Sequence, residues 1–219
     1  SELVSHAAGV RTLADSLQRL SLNAHIRAMH LHEAGATLEV VADHMHRSAK
    51  GVSESGSQLT QLMHAANRTL LEARAAIATA DLSVEMMLDF QSELTTAQTD
   101  RDAMRHAIAQ LAQVVESRLR AAGDCAEQVE RSVSALNVQL DDFRKQVRTL
   151  EILHVTGRTE AIRVEQGTDV SMIFSDVNHA TTNARARLEG LVELLEQVNL
   201  SVPEPARVSR DLAALRQAA

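Results

Sequence analysis

The sequence predicts an all-α protein, an elongated antiparallel four-helix bundle or coiled coil built from two tandem helical hairpins. One observation is composition, since the 219 residues include three Phe, two Pro, no Trp and no Tyr, while residues that favour helices dominate. Another is that apolar residues recur every three or four positions, or every seventh, as in a helical seam. The third is a pair of Gly-containing reversals, near residues 34 and 166.

The first helix is predicted to run from about residue 1 to residue 32. Its apolar seam, with spacings of three, four and seven, comprises Leu3, Val10, Leu13, Leu17, Leu20, Ala24 and Leu31. Gly35 follows this helix. Gly just past a helix end commonly takes the left-handed or otherwise permissive backbone that a reversal needs.

The second helix is predicted from about residue 38 to residue 94, because every seventh residue there is apolar. The series is Leu38, Met45, Val52, Leu59, Ala66, Ala73, Ala80, Met87 and Leu94. A repeat kept this long indicates one continuous helix, in which Gly51 and Gly56 mark bends or points of close packing. The helix is predicted to break at residues 95–100, where Thr99 or Asp100 can cap the next helix.

The third helix continues the sevenfold apolar repeat, and the repeat keeps its register past Gly123, which favours one long helix over two. Its series is Ile108, Val115, Ala122, Val129, Leu136, Phe143, Leu150, Gly157 and Val164. A reversal at residues 166–168 leads to a fourth helix that ends before Pro203, and a short helix is predicted over 208–217. The seam of the fourth helix is Val170, Phe174, Val177, Thr181, Ala184, Leu188, Leu191, Leu195 and Val198.

These elements divide the chain into a first hairpin (1–95, tip near residue 34), a second hairpin (100–200, tip near residue 166) and a C-terminal tail (201–219). The hairpins are predicted to be an internal repeat. Leu20 aligns with Leu153 before the reversals and Val40 with Ile173 after them, so a single offset of 133 residues serves both comparisons.

A specific residue pattern surrounds the first reversal, and a weaker version surrounds the second. The first copy comprises Leu22, Asn23, Ala24, Ile26, Ala28, Glu33, Gly35, Val40, Val41, Ala42 and Asp43. The second keeps Glu160, Ala161, Arg163, Glu165, Gln166, Gly167 and Asp176. The pattern resembles the hairpin tip of the cytoplasmic signalling domain of methyl-accepting chemotaxis proteins.

In that family the hairpins of two chains pair into a four-helix bundle, and its tip contacts a histidine kinase and a coupling adaptor. With both hairpins in one chain, the resemblance implies a single-chain mimic of the receptor dimer, a non-enzymatic signal-transduction module that acts through protein contacts. The partner-binding tip residues it implies are Asn23, Arg27, Glu33, Gly35, Arg158, Glu160, Arg163 and Gly167. Arg27 stands where the family usually has Glu, whereas the second copy keeps Glu160, so the second copy is expected to be the working surface.

Histidines give two alternative functions, since five of the ten fall close together around the first reversal. They are His25, His30, His32, His44 and His46. Imidazoles that face each other across a bundle can bind a transition metal or haem, as in a sensor, but no HxxxH or HExxH pair occurs. The preferred interpretation is therefore solvated or capping histidines, with no metal and no cofactor. The other alternative is a histidine phosphotransfer protein that uses His46, although Lys50 lies one residue too far for that motif.

Two acidic residues near the seams, Asp43 and Asp176, are predicted to fix the register of the bundle through equivalent contacts in the two halves. Neither has a candidate nucleophile beside it, so no catalytic residue is predicted. Cys125 lies close to the seam of the third helix. It is predicted to be a small buried residue rather than a nucleophile.

Charge and hydropathy limit the partners and the location. A net charge of −7 without a basic run argues against nucleic acid. No apolar run reaches the roughly 18 residues that span a bilayer, and residues 1–9 do not resemble a secretion signal, so a cytoplasmic protein with protein partners is expected. The long second and third helices are predicted to extend beyond the first and fourth, which favours a homodimer or a larger parent chain.

Overall fold

The computed structural model describes residues 2–31, 35–96, 101–164 and 168–200. These ranges contain four α-helices and no strand: α1 (Glu2–Met29), α2 (Ala36–Thr96), α3 (Arg101–Arg163) and α4 (Thr168–Leu200). The prediction of an all-α fold with two long and two short helices is confirmed, since the helices contain 28, 61, 63 and 33 residues. The short helix predicted over 208–217 lies outside the described residues.

Both long helices are continuous through their glycines, as the uninterrupted sevenfold repeat of apolar residues predicts. The helix α3 passes Gly123, and α2 passes Gly51 and Gly56. The first helix is shorter than predicted, because it ends at Met29 and a turn follows. In that turn the backbone N–H of Leu31 donates to the carbonyl of Ala28 at 3.1 Å.

The chain divides into two compact units. Unit 1 contains the chain up to residue 65 together with residues 132–197, and unit 2 is built on residues 66–131. Unit 1 therefore combines α1, the first half of α2, the second half of α3 and α4. The units cut across the predicted hairpins (1–95 and 100–200), because each long helix contributes one half to each unit.

Unit 1 is an antiparallel four-helix bundle, in which contacts join the helices in pairs. The end of α1 meets the beginning of α4 through an ion pair between Arg27 and Asp169 at 2.6 Å. A Cβ built at Gly56 of α2 would lie 3.2 Å from the Cβ of Ala14 in α1 and 3.3 Å from Cε2 of Phe143 in α3. Gly56 is thus a point of close packing, as one of the two readings of that glycine predicts.

The predicted seams of α2, α3 and α4 form the core. Every member of the α2 series from Leu38 to Met87 is at most 2% exposed, and the α3 series from Val115 to Leu150 is at most 3% exposed. All members of the α4 seam from Val170 to Leu195 are buried as well. Sevenfold spacing therefore identified these cores correctly.

The seam of α1 is less well predicted. Leu13 and Leu20 are only half-buried, whereas the core residues on this helix include several small side chains. The buried residues of α1 are Val10, Ala14, Leu17, Ser21, Ala24 and Ala28. Small residues let helices approach closely, but their hydropathy is low. A seam predicted from the largest apolar residues of α1 therefore lies to one side of the face that is buried in the structure.

The internal repeat is visible in the structure, but one offset does not describe it. Before the turns an offset of 133 holds, because Ala28 and Ala161 are both buried and each accepts the same turn bond. That bond is 3.1 Å from Leu31 to Ala28 and 3.3 Å from Val164 to Ala161. After the turns the core aligns at an offset of 132, which pairs buried positions in α2 and α4, namely Ala42 with Phe174 and Met45 with Val177. The single offset of 133 is therefore wrong beyond the turn, since the second copy is one residue shorter there.

Gly35 acts through space rather than through a left-handed backbone. It is buried, and its φ lies outside the positive range. A Cβ at this position would lie 3.1 Å from the carbonyl oxygen of Ala28 and 2.5 Å from the Cβ of Leu31. The turn needs Gly because residue 35 lies so close to the end of α1 that any Cβ there would clash with it.

Candidate protein-interaction surface

Both reversals lie at one end of unit 1. The helix α1 ends where α2 begins and α3 ends where α4 begins, while the ion pair between Arg27 and Asp169 joins the two turns. We define the tip end as residues 22–31, 35–46, 152–164 and 168–177. The side chains predicted to bind partners from either hairpin are thus brought to the same part of the molecule.

Exposed apolar side chains concentrate at the tip end. Of the nine large apolar residues exposed in the described part of unit 1, eight lie there, and the ninth, Val138, lies in α3 away from it. We call the eight the tip patch; they are Leu22, Ile26, Met29, Val40, Ile152, Val155, Ile162 and Met172. A concentration of exposed apolar side chains in one region of a protein surface often marks a site of interaction.

The tip patch lies opposite the core on its helices. On α1, Leu22, Ile26 and Met29 are spaced by four and three residues and so share one face, while Ala24 and Ala28 point into the bundle and are fully buried. Ile162 in α3 is 72% exposed. Packing of unit 1 accounts for only one apolar face of each helix, so the outer face needs another explanation.

The predicted polar tip residues divide into exposed contacts and scaffold. Asn23, Arg27, Arg158 and Arg163 are exposed, whereas Gly35 is buried and shapes the turn. Two further predicted tip residues, Glu33 and Gly167, lie outside the described residues, and so does His32.

Three of the predicted polar tip residues, Arg27, Glu160 and Arg163, already form ion pairs on the surface of unit 1. Arg163 donates to Glu160 one turn earlier at 2.9 Å, and Arg27 pairs with Asp169. Exposed pairs such as these contribute about 0–1 kcal/mol. A partner can therefore replace them at little cost.

The two predicted register residues do not make equivalent contacts. Asp43 pairs with Arg47 of its own helix, and Asp176 is exposed. The reason is the offset of 132 beyond the turn, which places Ser175, rather than Asp176, at the position equivalent to Asp43.

The polar contact that links α2 to α3 in unit 1 was missed from the sequence. Ser48 donates to the backbone carbonyl of Gln146 at 3.4 Å, and Ser55 donates to its side-chain Oε1 at 3.4 Å. Gly51 lies between them, and a Cβ there would meet the Gln146 amide at 3.2 Å. Gly51 is predicted to mark a bend or a point of close packing, and it is the one feature of the sequence that could have indicated this contact.

The structure brings together two of the five clustered histidines. The rings of His25 in α1 and His46 in α2 stack with centroids 6.1 Å apart and planes inclined by 14°. Their Nδ1 atoms are buried and have no hydrogen-bond partner, while His30 and His44 are exposed. Across the described ranges, no group of three or more His, Cys, Asp or Glu is placed to hold a metal ion.

His154 makes the stability of the protein depend on pH. Burial lowers the pKa of His154, and Arg158 lowers it further while Glu151 opposes the shift. Because the unfolded chain then takes up a proton more readily than the folded protein, the contribution of His154 to the free energy of unfolding is expected to be largest above the ordinary histidine pKa of about 6.5. It decreases as the pH falls through that value and levels off below the lowered pKa of the folded state.

The measurement is urea unfolding of the wild type and His154→Gln between pH 5 and pH 8. We expect the variant to lose less stability on acidification than the wild type, because it lacks the group whose pKa differs between the two states. An identical loss in both proteins would show that His154 does not contribute.

Cys125 is a poor nucleophile in this environment. It is a half-buried free thiol in α3. Burial raises the pKa of Cys125, and the carboxylates of Glu72 and Asp124 raise it further. Since the thiolate is the reactive form, the raised pKa disfavours a nucleophile. The thiol is only half-buried, however, and not buried as the sequence predicts.

Comparison with known proteins gives no family: no family model, no curated protein and no solved structure matches the chain. The resemblance to chemoreceptor tips therefore rests on the residues around the two reversals. Among the described helices, none combines the length and the hydropathy needed to cross a bilayer.

Proposed function

We propose that this protein is a non-enzymatic signal-transduction module of the cytoplasm, which acts through protein contacts at its tip end. It resembles a chemoreceptor signalling domain in which one chain supplies both hairpins. The partners proposed are a chemotaxis histidine kinase and its coupling adaptor.

The observation that carries the proposal is the tip patch. Eight exposed apolar side chains surround the two turns, on all four helices. Fully burying one large aliphatic side chain gains about 1.5–3 kcal/mol, and these side chains have 39–72% of their surface left to bury. A partner must therefore cover most of the tip patch to offset the cost of association. The ion pair between Arg27 and Asp169 shows that the end of α1 and the beginning of α4 lie side by side at the tip end.

The histidine alternatives have less support from the geometry. A phosphotransfer histidine must present a ring nitrogen to its partner, whereas His46 is half-buried and its ring stacks on His25. A protein metal site uses three or four ligands, and the described residues place no group of three or more His, Cys, Asp or Glu where it could hold a metal ion. The stacked pair is better explained as packing between α1 and α2.

The test is capture of purified kinase and adaptor by the immobilised full chain. The wild type is expected to retain both proteins, and Asn23→Ala and Glu160→Ala are expected to retain less, because both residues lie at the tip end. Asn183→Ala and Glu193→Ala are matched controls, since both are exposed residues of α4 away from that end. Failure of the wild type to retain either partner would contradict the proposed function.

A further inference from the structure

We propose that residues 208–217 form a third helix of unit 2, which packs along the seam between α2 and α3 and completes the core of that unit. The occupant of this surface is a segment of the same chain rather than a second copy. The inference is independent of the function proposed at the tip end, because it concerns another surface and another partner.

The first argument is the width of the buried face of α2 in unit 2. The seam itself, at Ala80 and Met87, is at most 2% exposed, and both of its flanks are buried as well. Ala76 and Ser83 on one flank are 7% and 6% exposed, and Val84 on the other flank is 3% exposed. Together these residues cover an arc of about 100° of the helix, whereas the seam of a two-stranded coiled coil is narrower. The width of the arc indicates that α2 has another neighbour in addition to α3.

The second argument is that unit 2 includes one other part of the chain. Besides residues 66–131, it contains residues 198–219. In a helix over 208–217, the apolar residues Val208, Leu212 and Leu215 are spaced by four and three positions and share one face. Arg210 and Gln217 lie on the opposite face. A helix of this kind is stabilised mainly by packing its apolar face against a core.

The third argument is size. The buried cluster of unit 2 and the residues packed against it extend along α2 from Ile77 to Met87, which is about 15 Å at 1.5 Å per residue. A helix over 208–217 has about the same length. Residues 201–207 connect it to the end of α4 and contain Pro203 and Pro205, and an extended linker of this length spans up to about 25 Å. The segment therefore matches the cluster in length and can leave the line of α4.

Charge favours this segment over a second copy. Residues 207–217 include three Arg and one Asp. Between residues 75 and 96, α2 carries four acidic residues and no Lys or Arg; they are Asp81, Glu85, Asp89 and Glu93. The basic segment is attracted to this part of α2, whereas two copies of this part of α2 repel each other.

The experiment is hydrogen–deuterium exchange of the full chain, compared between the wild type and Leu212→Glu with Leu215→Glu. The double variant places two carboxylates on the apolar face of the segment. The amides of residues 77–87 and 108–119 are therefore expected to exchange at least about tenfold faster than in the wild type, through easier local opening of unit 2. The amides of residues 38–59 in unit 1 are expected to keep the wild-type rate. Unchanged exchange at 77–87 and 108–119 would overturn the proposal.

Ala213→Glu with Gln217→Glu is the matched control, since it adds the same charge on the opposite face of the segment. This variant is expected to exchange as the wild type does. An equal effect of the two double variants would overturn the proposal, because the apolar face would then not be the face that packs.

Dilution separates the segment from a second copy. Packing within one chain does not depend on protein concentration, so the exchange rates of the wild type are expected to be equal at about 5 μM and about 100 μM. Faster exchange of residues 77–87 and 108–119 at the lower concentration would overturn the proposal, because a second copy would then cover the seam.

Discussion

Phe174→Ala is expected to lower the free energy of unfolding of unit 1 by about 3–5 kcal/mol, the usual cost of emptying a buried aromatic site. Phe174 is fully buried, and its ring lies against the backbone of Gly157 in the neighbouring helix. Only three Phe supply large aromatic volume in the chain, and the remaining core consists of Ala, Val, Leu and Met. Collapse of the surrounding side chains therefore cannot fill the space.

The measurement is chemical unfolding followed by circular dichroism, with Phe90→Ala as the control. Phe90 lies in unit 2 and is half-buried, so its removal is expected to cost less than the removal of Phe174. A loss below about 1 kcal/mol for Phe174→Ala would contradict the packing described here, since it would be too small for a filled aromatic site.

Two glycines of α3 are expected to respond to the same substitution with opposite signs. A Cβ at Gly157 would overlap the ring of Phe174, whereas a Cβ at Gly123 would meet nothing within 4 Å. Gly123→Ala is expected to stabilise the protein by up to about 1 kcal/mol, because Ala is the better helix former. Gly157→Ala gains the same propensity, but forced overpacking costs about 1–3 kcal/mol, so the net change is a loss.

A double-mutant cycle separates the clash from other effects of the Gly157 change. In a Phe174→Leu background the smaller side chain can move away, so Gly157→Ala is expected to cost less there than in the wild type. Equal costs in both backgrounds would show that the two residues do not interact.

The parts of the fold that follow from strong periodicity were predictable. The sevenfold repeat predicts the length and the buried face of α2 and α3, because a side chain at every seventh position returns to the same face of a helix, whatever glycines lie between. The core of α1 was harder, since Ala14, Ser21 and Ala28 are buried for their small size and not for their hydropathy. The offset between the repeats beyond the turn was also missed, because one residue of turn length changes every alignment after it.

The site was predictable only in part. The residues around the reversals pointed to the tip end, but the ion-pair partner of Arg27, Asp169, is 142 positions away and belongs to no pattern in the sequence. The tip patch was missed for a related reason. Residues such as Ile152, Val155 and Ile162 read as additional core until the buried face of α3 is known, and their exposure depends on tertiary packing.

The most direct test of the proposed function is calorimetric titration of the full chain with the complex of chemotaxis kinase and adaptor. Ile26→Ser with Ile162→Ser removes one side chain of the tip patch from each hairpin, while Val138→Ser removes the exposed apolar residue of unit 1 that lies elsewhere. The double variant is expected to bind at least about tenfold more weakly than the wild type, which corresponds to about 1.4 kcal/mol, and Val138→Ser is expected to bind as the wild type does. Equal affinity of all three proteins, or no binding by the wild type, would contradict a function at the tip end.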